Sequence, residues 1–136
     1  MRTVDLKKLV RLSSTSGYNA TNKKEFARLS RNLLRELDDI LQKDVYSPFQ
    51  DAASIYYNAG GIAVSGEATL HNDSIYVQIS GTDLGILYRT CQDRRDYSGG
   101  PNHWFPWGRL IERGIAGLAE VIYIVAGIQS DGRAVR

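Results

Sequence analysis

Cysteine, methionine, proline and histidine are all scarce in this sequence. A lone cysteine, Cys91, cannot close a disulfide within the chain, so a hydrophobic core has to hold the fold. With only His71 and His103 to join it, a closed structural zinc site would have to recruit carboxylates. Long apolar runs are missing too. Ile115 to Ile128 is nearly continuous, but it covers only fourteen residues, is interrupted by Glu120, and falls short of the roughly twenty that a membrane helix requires. It reads as a buried element. Met1 to Asn19 carries Arg, Lys and Ser without the apolar centre of a secretory signal. There is no Walker-type GK[ST], no dinucleotide-type G-x-G-x-x-G, no H-E-x-x-H, no G-x-S-x-G and no EF-hand loop, which withdraws support from those chemistries.

What is present fits one globular domain over residues 1–136. The chain has 136 residues, 43% apolar and 24% charged, enough to bury a core and too few for two comfortable domains. Its charge is unevenly spread. Residues 1–35 hold nine basic residues against Asp5 and Glu25, a net +7, and the remainder holds eight against thirteen, a net −5. An anionic partner would be steered to the N-terminal third; a solvated helix face would show the same pattern.

Residues 1–20 read as a basic, polar N-terminal segment, and 129–136 as a frayed tail. The first confident helix is expected from Asn22 as N-cap, with Glu25 completing a capping box. Phe26, Leu29, Leu33, Leu37, Ile40 and Leu41 form its apolar stripe. Acidic Glu36, Asp38 and Asp39 crowd its C-terminal end, against the helix dipole, and call for a basic partner elsewhere. Beyond Pro48 the period changes to two. Ile55 to Tyr57 opens a β-rich stretch, Ile62, Val64, Ala68 and Leu70 alternate with wetter residues around a bulge at Gly66, and His71-Asn72-Asp73 makes a hairpin connection to Ile75, Val77 and Ile79. Leu84, Ile86 and Tyr88 then share one side of a strand, and Leu87, Arg89 and Cys91 the other. Short connections make these about four antiparallel strands in a meander. Trp107 to Gly127 reads as a C-terminal helix with Gly114 and Gly117 permitting close approach, although residues 121–125 have a strand-like composition. The expected class is α+β: a four-stranded antiparallel meander packed against an N-terminal and a C-terminal helix.

One stretch stands apart. Thr90 to Trp107, TCQDRRDYSGGPNHWFPW, gathers the cysteine, a histidine, both tryptophans and a DRRD cluster in a run that looks like no regular element. A Cys91–His103 pair, with Arg94 and Arg95 lowering the thiol pKa, would make a nucleophile. His71 with Asp93 and Asp96 would make a metal site, although without diagnostic ligand spacing. Composition favours recognition instead. Arginine forks and flat rings dominate interface hot spots, so Arg89, Arg94, Arg95, Asp96, Tyr97, Asn102, His103 and Trp104 are the expected partner-binding residues. The competing reading is a connector whose aromatics plug the end of the sheet.

The successions NAGGIAVSGEATLHNDSIYVQIS (58–80) and ILYRTCQDRRDYSGGPNHW (86–104) resemble a group of small accessory proteins encoded by bacteriophages, prophages and other mobile elements. The resemblance covers about the middle third of the chain and brings no catalytic residues with it. It implies a stand-alone protein in the bacterial host cytoplasm that interferes with a defence system such as CRISPR-Cas. Because the chain is slightly basic, it implies blocking of a protein or guide-RNA surface in preference to imitation of DNA.

The expected function is therefore non-enzymatic binding of a host protein or ribonucleoprotein complex, with no cofactor, no metal and no membrane, and with self-association left open. The alternatives are nucleic-acid binding through Lys23, Lys24, Arg28, Arg31 and Arg35, with loop aromatics stacking on bases, and a small thiol or metal enzyme.

Overall fold

The computed structural model describes residues 1–13, 20–43, 53–58, 66–80, 84–93, 96 and 100–131, the last five without their side chains. The elements run α1 (Thr3–Ser13), α2 (Ala20–Lys43), β1 (Ser54–Asn58), β2 (Glu67–His71), β3 (Ile75–Ser80), β4 (Gly85–Thr90), β5 (His103–Pro106) and α3 (Trp107–Asp131). All strands pair antiparallel in the order β1-β2-β3-β4-β5, an uninterrupted meander. The α+β class holds, with three helices in place of two and five strands in place of four among the described residues.

Two elements depart from expectation. Within the supposed polar N-terminal segment, Leu6, Leu9 and Leu12 recur at three-residue spacing and are buried, so residues 3–13 form α1 against α2 and α3. The fifth strand lies inside the run expected to be irregular. His103–Pro106 pairs with β4, and Pro106 is tolerated because β5 is an edge strand that makes its ladder on one side only.

Helix α2 begins at Ala20, so Asn22 sits within its first turn and is not the cap. Glu25 does not close a capping box, because two cations hold its carboxylate: Lys8 Nζ at 2.6 Å and Arg28 Nε at 2.6 Å. The apolar stripe is broader than expected, with Leu34 buried alongside Phe26, Leu29, Leu33, Leu37 and Leu41. Of the acidic residues at its far end, Glu36 pairs with the Met1 ammonium, and Asp38 accepts the Ala53 backbone N–H at 3.4 Å.

The strand alternation is as expected where it is described. Ala68, Leu70, Ile75, Val77, Ile79, Ile86, Tyr88 and Phe105 face the helices and join α1, α2 and α3 in one core. Each fully buried aliphatic or aromatic side chain there contributes about 1.5–3 kcal/mol of transfer free energy. Ile62 and Val64 lie outside the described residues. Leu84 does not share this face; it precedes β4 and is 87% exposed. Asn72 organises the β2–β3 turn, its Oδ1 accepting from the N–H groups of Ser74 and Ile75, both at 2.8 Å.

Residues 121–125 are helical. Helix α3 is broken at Gly114, whose φ of 69° and ψ of −170° fall where only glycine rests without strain. Its role is this conformation and not the close approach expected of it, since a Cβ at Gly114 would meet nothing within 4 Å. The Tyr123 hydroxyl crosses from α3 to donate to the Leu41 carbonyl at 2.7 Å, satisfying an acceptor in the last turn of α2.

Candidate functional site

The run from Thr90 to Trp107 is the β4–β5 hairpin. Thr90 ends β4, Gly100 N–H donates back to the Thr90 carbonyl at 2.9 Å, β5 follows, and Trp107 starts α3. Those of the expected partner-binding residues that are described do not gather in one place. Arg94, Arg95 and Tyr97 lie outside the described residues. Asp96 serves the turn itself, its carboxylate accepting the Gln92 N–H at 2.9 Å while its own N–H donates to Asp93. Asn102 is exposed just before β5. His103 and Trp104 are consecutive strand residues, so their side chains leave opposite faces of the sheet. His103 stacks on Tyr88 with ring centroids 5.3 Å apart, and Trp104 sits 45% exposed on the face away from the helices.

Arg89 shares the Trp104 face but is not a free contact residue. It is only 6% exposed, with its guanidinium 4.4 Å from the Tyr76 ring centroid. Tyr76 is the centre of this arrangement. His71 meets its ring edge-on at 5.3 Å, its hydroxyl donates to Gln78 Oε1 at 2.8 Å, and Gln78 Nε2 donates on to Ser80 Oγ at 2.9 Å. The arginine thus stiffens the sheet, because a cation over a shielded ring is favourable and leaving it would cost that contact. Among the described elements no helix covers this face. One cross-strand row runs Tyr56, Thr69, Gln78, Leu87, Trp104, with Tyr56 67% exposed at one end and Trp104 at the other.

The thiol reading finds no geometric support. Cys91 follows β4 with its Sγ donating to the Asn72 carbonyl at 3.4 Å, whereas His103 is stacked on Tyr88 across the sheet. Burial pushes the thiol up to about 11, aided by Asp96 and opposed by Arg89, the reverse of the activation expected. No three His, Cys, Asp or Glu side chains converge as metal ligands among the described residues, His71, Asp93 and Asp96 included. No described helix is long and apolar enough to cross a membrane.

The second set of expected residues does come together. Lys23, Lys24, Arg28 and Arg31 project from successive turns of α2 and line a groove of about 470 Å³ with Ala27 and Tyr57. Spacings of one, four, five and eight residues put these cations on one side of a helix, while Phe26, Leu29 and Leu33 face the core. Arg35, the fifth expected residue, lies further along and binds Asn32 Oδ1 at 3.1 Å.

The far wall is Tyr57 of edge strand β1, which sequence reasoning missed. Its ring lies 5.6 Å from the Arg31 guanidinium. Burial pushes the Tyr57 phenol up, with Arg31 pulling the other way, so the ring stays neutral and its hydroxyl protonated at neutral pH. Gly66 makes room for that hydroxyl: a Cβ there would lie 2.1 Å from the Tyr57 oxygen. The Asn58 backbone carbonyl would lie 2.6 Å from the same Cβ, so close approach on both counts calls for glycine at a position expected to be a bulge.

Electrostatics favour an anion in the groove. Lys23 and Lys24 occupy the N-terminal part of α2, where the helix dipole disfavours positive charge, and no acidic residue stands in the first turn to compensate. Glu25 is the carboxylate that Arg28 binds, drawn well down to about 2 by its hydrogen bonds to Arg28 and Lys8, and Asp5 also acts on Arg28 from a distance. Glu25 orients Arg28 along the helix and remains charged throughout the physiological range. The cluster of four cations against Glu25 therefore stays positive, and the groove walls lower the dielectric around any ligand phosphate.

Compared with known proteins, the chain matches no family model, no curated sequence and no solved structure.

Proposed function

We propose that this protein is a non-enzymatic binding protein whose ligand is a nucleic acid, held in the groove between α2 and β1. The observation that carries this reading is the convergence of Lys23, Lys24, Arg28 and Arg31 around Tyr57 in one concave site. Phosphates supply the negative charge that the start of a helix favours, and ammonium and guanidinium groups are the side chains that neutralise a nucleic-acid backbone. Salt dependence is the test. If about three phosphates are neutralised, the logarithm of the association constant for an oligonucleotide falls with the logarithm of salt concentration at a slope near −2. Lys23→Gln with Lys24→Gln should flatten that slope by more than one unit. An absence of oligonucleotide binding at low salt would overturn the reading.

A second reading is favoured by a separate observation. Trp104 and Tyr56 stand exposed at the two ends of one row on a sheet face that no described helix covers, and such residues serve as protein interface anchors. Together with the resemblance of residues 58–104 to phage and mobile-element accessory proteins, this supports capture of a host defence complex. A ribonucleoprotein would engage both surfaces, with guide RNA toward the groove and protein toward the sheet. In bacteria with active CRISPR-Cas immunity, expression of the chain should restore phage plaques, and Tyr56→Ala with Trp104→Ala should remove the effect. Unchanged immunity would dispose of this second reading and leave the first standing.

A further inference from the structure

Resting on the nucleic-acid reading of the groove, we infer that the site is built for a single strand and that the Arg31–Tyr57 pair takes an unpaired base. Three observations lead there. The first is shape. A helix that reads duplex DNA through the major groove enters it as a protruding face. Here the cations of α2 line a recess closed on its far side by the edge strand that carries Tyr57. A flexible single strand can bend to lay its backbone along the cations and a base against Tyr57 at once.

The second is size. At about 470 Å³ the open groove has room for a segment of one or two nucleotides. The third is the character of the walls. Pure phosphate binding needs only charge, yet this site sets a guanidinium 5.6 Å from an aromatic centroid and adds the apolar surface of Ala27. Guanidinium planes and tyrosine rings are the two platforms on which unstacked bases rest. Arg31 over Tyr57 is thus a prepared stacking surface, with Lys23 and Lys24 both about two turns toward the N-terminus, placed for the flanking phosphates.

Arg31→Lys separates stacking from charge, because lysine keeps the positive charge and loses the plane. Binding of a fluorescently labelled oligo-dT is followed by anisotropy at fixed low salt, with inorganic polyphosphate and a blunt DNA duplex as competitors. The single strand should compete at least tenfold better than the duplex. Arg31→Lys should weaken oligo-dT by about tenfold, leave its salt slope unchanged, and leave polyphosphate affinity within about twofold. A thermal melt of Arg31→Lys that overlays that of the unaltered chain guards against a folding artefact. Equal competition by duplex or polyphosphate, or full oligo-dT affinity in Arg31→Lys, would overturn the single-strand inference while the cationic groove stood. Failure of every nucleic acid to bind at low salt would remove the functional reading itself.

Discussion

The Tyr123 hydroxyl donates to the Leu41 carbonyl at 2.7 Å and lies 3.3 Å from that of Ile40. Both acceptors belong to the last turn of α2, where carbonyls have no partner within the helix, so this one side chain fastens α3 to α2 and closes a helix end at once. Tyr123→Phe keeps the ring and removes the bond. It should lower unfolding free energy by about 1 kcal/mol, read as a reduced urea midpoint at unchanged m-value.

Glycine 114 and glycine 108 should respond to alanine in opposite directions. Neither Cβ would meet anything within 4 Å, so packing does not distinguish them. Gly114 has a φ of 69° and Gly108 does not share that conformation, being a helical residue near the start of α3. Gly114→Ala should cost about 1–3 kcal/mol through backbone strain alone, and Gly108→Ala should gain about 0.4–1 kcal/mol by reducing the freedom of the unfolded chain. Thermal melts of the two variants check the pair.

Glu25 gives a pH signature. Its carboxyl, held near 2 by Arg28 and Lys8 against an ordinary value of 4.5, binds fewer protons folded than unfolded between those limits. Its contribution to stability is therefore fully present above about pH 4.5 and is lost as the pH falls toward 2. Glu25→Gln should remove that part of the slope, lowering stability above about pH 4.5 and converging with the unaltered chain as the pH falls toward 2. Because the pair is largely solvated, the difference should shrink in high salt. Melting temperatures between pH 2 and 6 at two ionic strengths, read with the limits above, provide the check.

Arg89 and Trp104 should separate stability from binding. Arg89 is buried over Tyr76, so Arg89→Ala should destabilise the fold by about 1–2 kcal/mol through lost cation–π and stem packing. Trp104→Ala, on the exposed side of edge strand β5, should cost less stability and show its main effect on capture of a protein partner. Chemical denaturation alongside the immunity assay measures both.

The thiol offers a last check. With Cys91 raised to about 11 by burial, the native protein should resist thiol–disulfide reagents at pH 7–8 and react fully once denatured. Cys91→Ser should leave oligonucleotide binding intact.

The periodic elements were legible in the sequence for a physical reason: α2 and β3 bury one side each, and burial imposes spacing. Leu6, Leu9 and Leu12 carried the same signal for α1, but a charged, serine-rich context hid so short a helix. Strand β5 has four residues and ends in proline, which ordinarily argues against a strand; only pairing with β4 identifies it. Within the groove, the cations of α2 could be grouped by helical spacing alone. Tyr57 could not be added to them, because the tertiary packing of a strand on a helix is a non-local fact. Alternation placed Arg89 and Leu87 on one side of β4, but not that this side would be buried as well.

Since each strand bonds only to its neighbours in sequence, the sheet can assemble by successive short loop closures with little entropy lost per step. Docking α1 against α3 joins the most distant parts of the chain and should come last. Refolding should accordingly show sheet protection in hydrogen exchange before the amides of α1 become protected.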